Sequence, residues 1–171
     1  MLVSAYRGMR RMNAANRYFV DTNILLYVLD AKSPVKQRVC RNWMDHLWEH
    51  NEGRISWQVL HEFYANAVRK MGVPVDLVRA SVQTYILWQP VETTPGLLQR
   101  AWHWMDEAQL AYWDALIVAA AERCGCQVLL SEDFSHGRRF GTVLVANPFE
   151  QPAGGHVSYS KDAKQPEDIH D

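Results

Sequence analysis

Short apolar runs alternate along this chain with longer stretches in which apolar residues recur every three or four positions. A short apolar run bounded by turn residues predicts a strand, and the longer periodicity predicts a helix. Strands are therefore predicted for RYFVD (17–21), RIS (54–56), QVLLS (127–131) and TVLVA (142–146). The segment PVE (90–92) is either a further strand or merely extended.

Residues typical of helix starts lie in the segments between these predicted strands. Ser33 precedes Pro34, which is favourable at a first helical position, and Ser56 and Asp76 stand where they can cap further helices. The predicted helices span residues 23–29, 34–51, 57–70, 76–87 and 113–125, and another opens at Thr94-Pro95. This alternation predicts an α/β fold with a small central parallel sheet flanked by helices on both faces.

Two acidic residues follow predicted strands. Asp21 ends the run YFVD, and Asp133 closes the segment VLLSED. One interpretation is that Asp21 caps the next helix, because a side-chain oxygen there accepts a backbone hydrogen bond. The other is that Asp21 is a metal ligand. Ligands gather at the carboxyl ends of parallel strands, and Asp133 would lie at the same edge of the sheet.

Two more acids lie on predicted helices. Glu62 has Gln58 and Asn66 four residues before and after it, so these polar side chains form one stripe, either a solvated face or part of a site. Asp114 directly precedes ALIVAAA, whose seven residues without a polar side chain predict a helix buried nearly all round. Asp114 is therefore either a favourable charge for the start of that helix or a member of the same acid cluster.

The four acids have a common explanation if they meet at one edge of the sheet. Gathered carboxylates repel one another, and their pKa values rise unless a cation is present. Oxygen ligands without His or Cys suit Mg²⁺ or Mn²⁺. Such a cation activates water and binds phosphate oxygens, so the cluster predicts metal-assisted phosphodiester hydrolysis.

Composition and net charge limit the classes of protein to which this chain can belong. The chain has 171 residues, 48% of them hydrophobic, which suits one domain with a sizeable core. The net charge of −1 argues against a protein that mainly coats nucleic acid, because such binding needs many basic contacts to phosphates. The odd number and the spacing of Cys40, Cys124 and Cys126 predict reduced thiols in a cytoplasmic protein.

The two ends of the chain differ in composition from its middle. Residues 1–16 have no apolar stretch of signal-peptide length, and we expect a flexible or over-extended leader. Residues 151–171 are rich in Pro, Gly and charge, which predicts a disordered tail. The predicted domain therefore spans 17–150, and no run in the chain approaches the roughly 20 apolar residues of a membrane span.

Four segments, each carrying one of the acids, resemble the motifs of PIN-domain nucleases, and most closely those of VapC-type toxins from toxin–antitoxin modules. The segments are FVDTNILLY, SWQVLHEFY, AYWDALIVAAA and VLLSEDFSHG, the last followed by VLVANPF. The resemblance runs from about Tyr18 to Phe149. It implies a single PIN-like domain, Mg²⁺- or Mn²⁺-dependent endoribonuclease activity, a homodimer, and a cognate antitoxin whose C-terminal segment blocks the active-site groove.

The resemblance also assigns roles to individual residues. The catalytic acids that hold the metal and activate water would be Asp21, Glu62, Asp114 and Asp133, and the supporting polar residues would be Thr22, Asn23 and Ser131.

Three further residues lie near these motifs. Arg138 and Arg139 follow Asp133 and are candidates for holding the phosphate beside the scissile one, and the alternative is a solvated turn. Ala111 departs from the family pattern, because many relatives have Ser there and this chain loses that helix cap.

Two other functions compete with the nuclease. The chain is alternatively a catalytically weak module of the same fold that binds nucleic acid or a protein. It is otherwise a phosphatase with Asp21 as a covalent nucleophile. Such enzymes usually need a second Asp two residues later, and Asn23 occupies that place.

Overall fold

Residues 16–154, the part of the chain that this computed structural model describes, form five short strands and six helices. The strands are β1 (Tyr18–Val20), β2 (Gly53–Arg54), β3 (Val128–Leu130), β4 (Arg139–Phe140) and β5 (Val143–Ala146). The helices are α1 (Thr22–Leu29), α2 (Pro34–His50), α3 (Trp57–Arg69), α4 (Val75–Ile86), α5 (Pro95–Ala108) and α6 (Tyr112–Arg123). Their order along the chain is β1-α1-α2-β2-α3-α4-α5-α6-β3-β4-β5.

The strands form one sheet in the order β2-β1-β3-β5-β4. All neighbouring pairs are parallel except β4 and β5, which are antiparallel. Every residue of β1, β3 and β5 is buried. Since successive side chains of a strand point to opposite faces, both faces of the central sheet are covered. The predicted α/β fold is therefore confirmed.

The antiparallel strand β4 was not predicted from the sequence. Residues 135–140 looked like a turn, because a strand of two residues is too short to establish an alternating pattern. Phe140 is nevertheless fully buried, while Arg139 is exposed. The chain then turns at Gly141, whose φ of 57° suits glycine, and enters β5.

Several predicted element boundaries need correction. The strand predicted at 54–56 is β2, one residue earlier and shorter, and residues 90–92 contribute only an isolated bridge between Val91 and Ser56. Asp76 does not cap α4. The cap position is Pro74, and Asp76 lies in the first turn, where its charge still suits the helix dipole. Ser33 occupies the cap position of α2 but forms no side-chain capping bond.

Residues that follow the central strands meet at one edge of the sheet. Val20, Leu130 and Ala146 lie side by side at the ends of β1, β3 and β5. The backbone N–H of Asp21 donates to the carbonyl of Leu130 at 3.0 Å. Because β2 lies on one side of β1 and β3 on the other, the chain changes direction here, and such a switch point forms a crevice for ligands.

The described chain extends slightly beyond the predicted domain boundary at 150. The indole N–H of Trp43 donates to the carbonyl of Gln151 at 3.2 Å, so this segment contacts α2. The predictions for the leader and for most of the tail fall on residues 1–15 and 155–171, which lie outside the described residues. Within the described part, no helix is long and apolar enough to cross a membrane.

Gly53 in the edge strand β2 lies against the ring of Trp88. A Cβ at this position would stand 2.4 Å from two ring carbons of Trp88, which is itself buried. We expect Gly53→Ala to lower the free energy of unfolding by about 1–3 kcal/mol, because a large buried ring must move. Urea unfolding of both proteins measures this.

Gly96 in α5 provides the matched control. A Cβ there meets nothing closer than the Thr94 hydroxyl at 4.0 Å. We expect Gly96→Ala to be neutral or to stabilise the protein by up to about 1 kcal/mol, because alanine restricts the unfolded chain. Equal destabilisation by both substitutions would contradict the proposed contact between Gly53 and Trp88.

Candidate active site

Asp21 lines the crevice, and its contacts agree with helix capping while leaving it available as a metal ligand. It caps α1 by accepting a hydrogen bond from the backbone N–H of Thr22 at 2.7 Å. Its other oxygen accepts from the Ser131 hydroxyl at 2.7 Å. Only 7% of Asp21 is exposed. The residue therefore caps a helix and still presents a carboxylate at the end of β1.

Glu62 reaches the same crevice from α3. Its Oε2 accepts a hydrogen bond from the Thr22 hydroxyl at 2.7 Å. Its Oε1 accepts from the side-chain amide of Gln58 at 2.9 Å. The same amide donates to the backbone carbonyl of Trp113 at 3.3 Å. Gln58 thus joins α3 to the start of α6 and fixes the orientation of the Glu62 carboxylate.

Asp133 follows β3 and is held by two supporting residues. Its carboxylate accepts a hydrogen bond from the side-chain amide of Asn23 at 2.8 Å. Its backbone N–H donates to the Ser131 hydroxyl at 3.1 Å, and that hydroxyl in turn donates to Asp21. Ser131 therefore connects two of the acids.

Asp114 lies in the first turn of α6 and is solvent-exposed. The residues from Ala115 to Ala121 are all buried, as the apolar run predicts. The cap position is Ala111, which has no side chain that can accept a hydrogen bond, so Asp114 is not the cap. No residue between 16 and 154 donates a hydrogen bond to its carboxylate, which therefore faces the crevice with its oxygens available.

One cavity of about 200 Å³ contains all four acids. The residues that line it are Asp21, Thr22, Asn23, Leu26, Gln58, Glu62, Asn66, Trp113, Asp114, Ile117 and Asp133. The structure thus brings together acids that are separated by up to 112 positions in the sequence. Their catalytic roles stay predictions, but their convergence is a structural fact.

Burial and repulsion make the negative charge of this cavity unfavourable. The pKa of Asp21 is raised to about 7, mainly by burial and also by the charges of Asp133 and Glu62, although the hydrogen bonds from Ser131 and Thr22 lower it. The pKa of Asp114 is also raised, first by loss of solvent and then by Asp133 and Glu62. A cation would remove this penalty.

The residues of the cavity fit a hard divalent cation. The donors are carboxylate, amide and hydroxyl oxygens, the set that Mg²⁺ and Mn²⁺ prefer. The side-chain oxygen of Asn23 is buried and finds no hydrogen-bond partner within residues 16–154. In that same range, no three His, Cys, Asp or Glu side chains converge tightly enough to enclose an ion by themselves. Water would therefore supply part of the coordination, which is usual for Mg²⁺.

Arg138 and Arg139 do not line the acid cavity. The Arg138 guanidinium donates to the carbonyl of Ala108 at 2.9 Å and lies 4.7 Å from the ring centre of Phe140. This contact anchors the loop after Asp133 to α5. A role for either arginine in binding phosphate stays a prediction.

Two cavity residues carried no clear signal in the sequence. Gln58 looked like part of a solvated stripe, because its partners Glu62 and Trp113 become neighbours only when α3 and α6 pack together. Trp113 is one of seven tryptophans in the chain, and a tryptophan at a helix start does not by itself indicate a cavity. Its place directly before Asp114 was the available signal.

Comparison with known proteins supports the resemblance. The family described as PIN domain matches residues 18–139, which is most of the chain. None of the curated protein sequences matches it significantly. Among solved structures, the chain is similar to Mycobacterium tuberculosis VapC20, described as a sarcin-ricin loop cleaving toxin. That match has 23% sequence identity and a TM-score of 0.49, and covers 68% of this chain and 91% of VapC20.

The family match includes all four acid-bearing segments in full and ends before VLVANPF. It begins at the first residue of β1 and ends in β4, so it spans the sheet edge at which the acids meet. The resemblance to PIN-domain nucleases is therefore confirmed, and the chain belongs to the PIN-domain family.

Proposed function

We propose that this protein is a metal-dependent endoribonuclease and the toxin of a toxin–antitoxin pair. The observation that carries the proposal is the convergence of Asp21, Glu62, Asp114 and Asp133 on one cavity at the carboxyl edge of the sheet. The raised pKa of Asp21 adds to it, because a buried acid among like charges is costly without a positively charged ligand.

Asp21, Asp114 and Asp133 would hold Mg²⁺ or Mn²⁺, directly or through water. A bound divalent cation supplies Lewis-acid chemistry, because it acidifies water and offsets charge on a phosphodiester. The protein's contribution is orientation. Ser131 fixes one oxygen of Asp21, and Asn23 fixes one oxygen of Asp133.

Glu62 would orient the attacking water. Thr22 and Gln58 each donate to one of its oxygens and hold the carboxylate in a single position. Each oxygen retains further acceptor capacity for a water proton. Attack of that water on phosphorus would break the bond to the ribose O3′, which leaves a 3′ hydroxyl on one product and a 5′ phosphate on the other.

The choice of RNA rests on the family, because the acids themselves act on any phosphodiester. An open cleft of this kind suits unpaired loops or single strands more than a duplex. The neighbouring surface supports the toxin role. A second cavity of about 460 Å³ includes Asn23 and Leu26, which also line the acid cavity, and continues to Lys32 and Lys70. Its lining is mainly apolar and carries two lysines and one acid, Asp30, so a net positive charge suits an amphipathic segment with acidic residues, such as an antitoxin's C-terminal part.

The test is cleavage of a pool of structured RNAs, including tRNAs and ribosomal loops, by partner-free protein. We expect discrete cuts with Mg²⁺ or Mn²⁺, none in EDTA, and recovery when metal is restored. Ligation-based mapping should identify 5′ phosphate and 3′ hydroxyl ends. A 2′,3′-cyclic phosphate, or cleavage that survives EDTA, would contradict this mechanism. A folded protein that binds RNA without cutting RNA or DNA would favour a binding module.

A further inference from the structure

A groove of about 820 Å³ adjoins the acid cavity on the side of α6. The residues lining it are Trp57, Gln58, His61, Glu62, Glu92, Thr93, Tyr112, Trp113 and Leu116. Gln58, Glu62 and Trp113 also line the acid cavity, so the two spaces are adjacent. A ligand reacting at the acids therefore has room to extend into this groove.

The chemistry of the groove suits bases and not phosphates. Its walls carry three large aromatic side chains, and no lysine or arginine is among the residues that line it. Two carboxylates, Glu62 and Glu92, would repel a phosphate group. Aromatic rings stack on the faces of unpaired bases, and a carboxylate accepts hydrogen bonds from base amino groups.

Trp113 is the residue best placed to stack on a base. It is 61% exposed, although it directly precedes Asp114 in the first turn of α6. The ring of Tyr112 packs edge-on against it at 5.1 Å between centroids. The hydrogen bonds of Gln58 to the Trp113 carbonyl and to Glu62 hold this turn of α6 at a fixed position relative to the acids.

We propose that this groove binds one unpaired base next to the scissile phosphate, with Trp113 stacked on its face and Glu92 accepting from its amino group. The inference rests on the proposed function for the identity of that phosphate. The proposed contact with Glu92 gives the groove a preference for bases that carry an amino group. Cytosine presents an amino group to the carboxylate, whereas uracil presents an oxygen at the same position.

Binding of short RNAs tests the groove separately from catalysis. The parent protein would be the Asp21→Asn variant, which is expected to cleave too slowly to affect a binding measurement, and the probes would be fluorescein-labelled hexamers of cytidine and of uridine. We expect Trp113→Ala to weaken binding of both hexamers about tenfold. Trp113→Phe should retain most of the affinity. Trp102→Ala is the matched control, because Trp102 is 52% exposed on α5 and lines neither cavity.

The difference in affinity between the two hexamers tests the role of Glu92. The parent should bind the cytidine hexamer about fivefold more tightly than the uridine hexamer, as expected for one net hydrogen bond. Glu92→Ala should remove this preference by weakening the cytidine complex, because alanine can neither accept from the cytosine amino group nor donate to the uracil oxygen. Equal binding of both hexamers by the parent would overturn the assignment of Glu92.

Other outcomes separate this inference from the proposed function. If Trp113→Ala binds both hexamers like its parent, or the parent binds neither, the base-binding groove is wrong even where wild-type protein cleaves RNA. If binding depends on Trp113 but no substrate is cleaved, the base-binding groove is supported and the proposed nuclease function is contradicted. If Trp113→Ala only lowers the mass measured by sedimentation, the groove is a contact between copies of this chain and the inference is overturned.

Discussion

Replacement of Asp21 by Asn is expected to lower the rate of metal-dependent RNA cleavage roughly a thousandfold. The substitution removes a negative charge from the acid cavity. A catalytic cation held by such charges stabilises the transition state by several kcal/mol, and this stabilisation would be lost. The fold should survive, because Asn is as good a helix cap as Asp and the Ser131 hydroxyl keeps a polar partner. Initial rates on one mapped RNA site measure the effect.

Asp45→Asn is the matched control for this experiment. Asp45 is an exposed acid on α2, so the same change of charge occurs away from the cavity. We expect its rate to stay within about twofold of the wild type, as for an ordinary surface substitution. If Asp21→Asn cleaves the same site at the wild-type rate, then Asp21 does not hold a catalytic metal and the proposed mechanism fails.

The sequence reveals Asp21 and Asp133 because parallel strands impose a simple rule. Each follows a short apolar run, and the residues after parallel strands must meet at one edge of the sheet. Asp114 is also visible, because an acid before an uninterrupted apolar helix has few structural explanations. These inferences need only the order of the elements and not their detailed packing.

Glu62 shows where such reasoning ends. A lone acid on an amphipathic helix resembles any solvated residue, and its role depends on a hydrogen bond to Thr22, 40 positions earlier in the chain. The family resemblance, and not the helical pattern, identified it. The strand β4 was missed for a related reason. Its two residues pair with β5 through tertiary packing that leaves almost no local pattern.

The same Asp21→Asn substitution is expected to stabilise the metal-free protein at neutral and higher pH. In the folded state the pKa of Asp21 is about 7, whereas an Asp in an unfolded chain ionises near about 3.9. The folded state therefore binds this proton more tightly than the unfolded state. As pH rises from about 4 to about 7, the wild type loses up to about 4 kcal/mol of stability that the Asn variant keeps.

Urea unfolding in EDTA at a series of pH values tests this expectation. The free energies of unfolding of the two proteins should converge below about pH 4, diverge up to about pH 7, and then run parallel. Glu62, Asp114 and Asp133 are present in both proteins, so the difference isolates Asp21 and its repulsion with them. Profiles that stay parallel throughout would mean that burial of this carboxylate costs the fold nothing.

Addition of Mg²⁺ at about pH 8 connects the stability of the fold to the proposed chemistry. An ion that binds only the folded state raises the free energy of unfolding, by about 2.7 kcal/mol at one hundred times its dissociation constant. We expect this gain for the wild type and much less for Asp21→Asn. The loss of folding stability in the metal-free protein and the affinity for a cation then both come from the clustered carboxylates. Carboxylates that destabilise the empty fold are those that would hold the ion during cleavage.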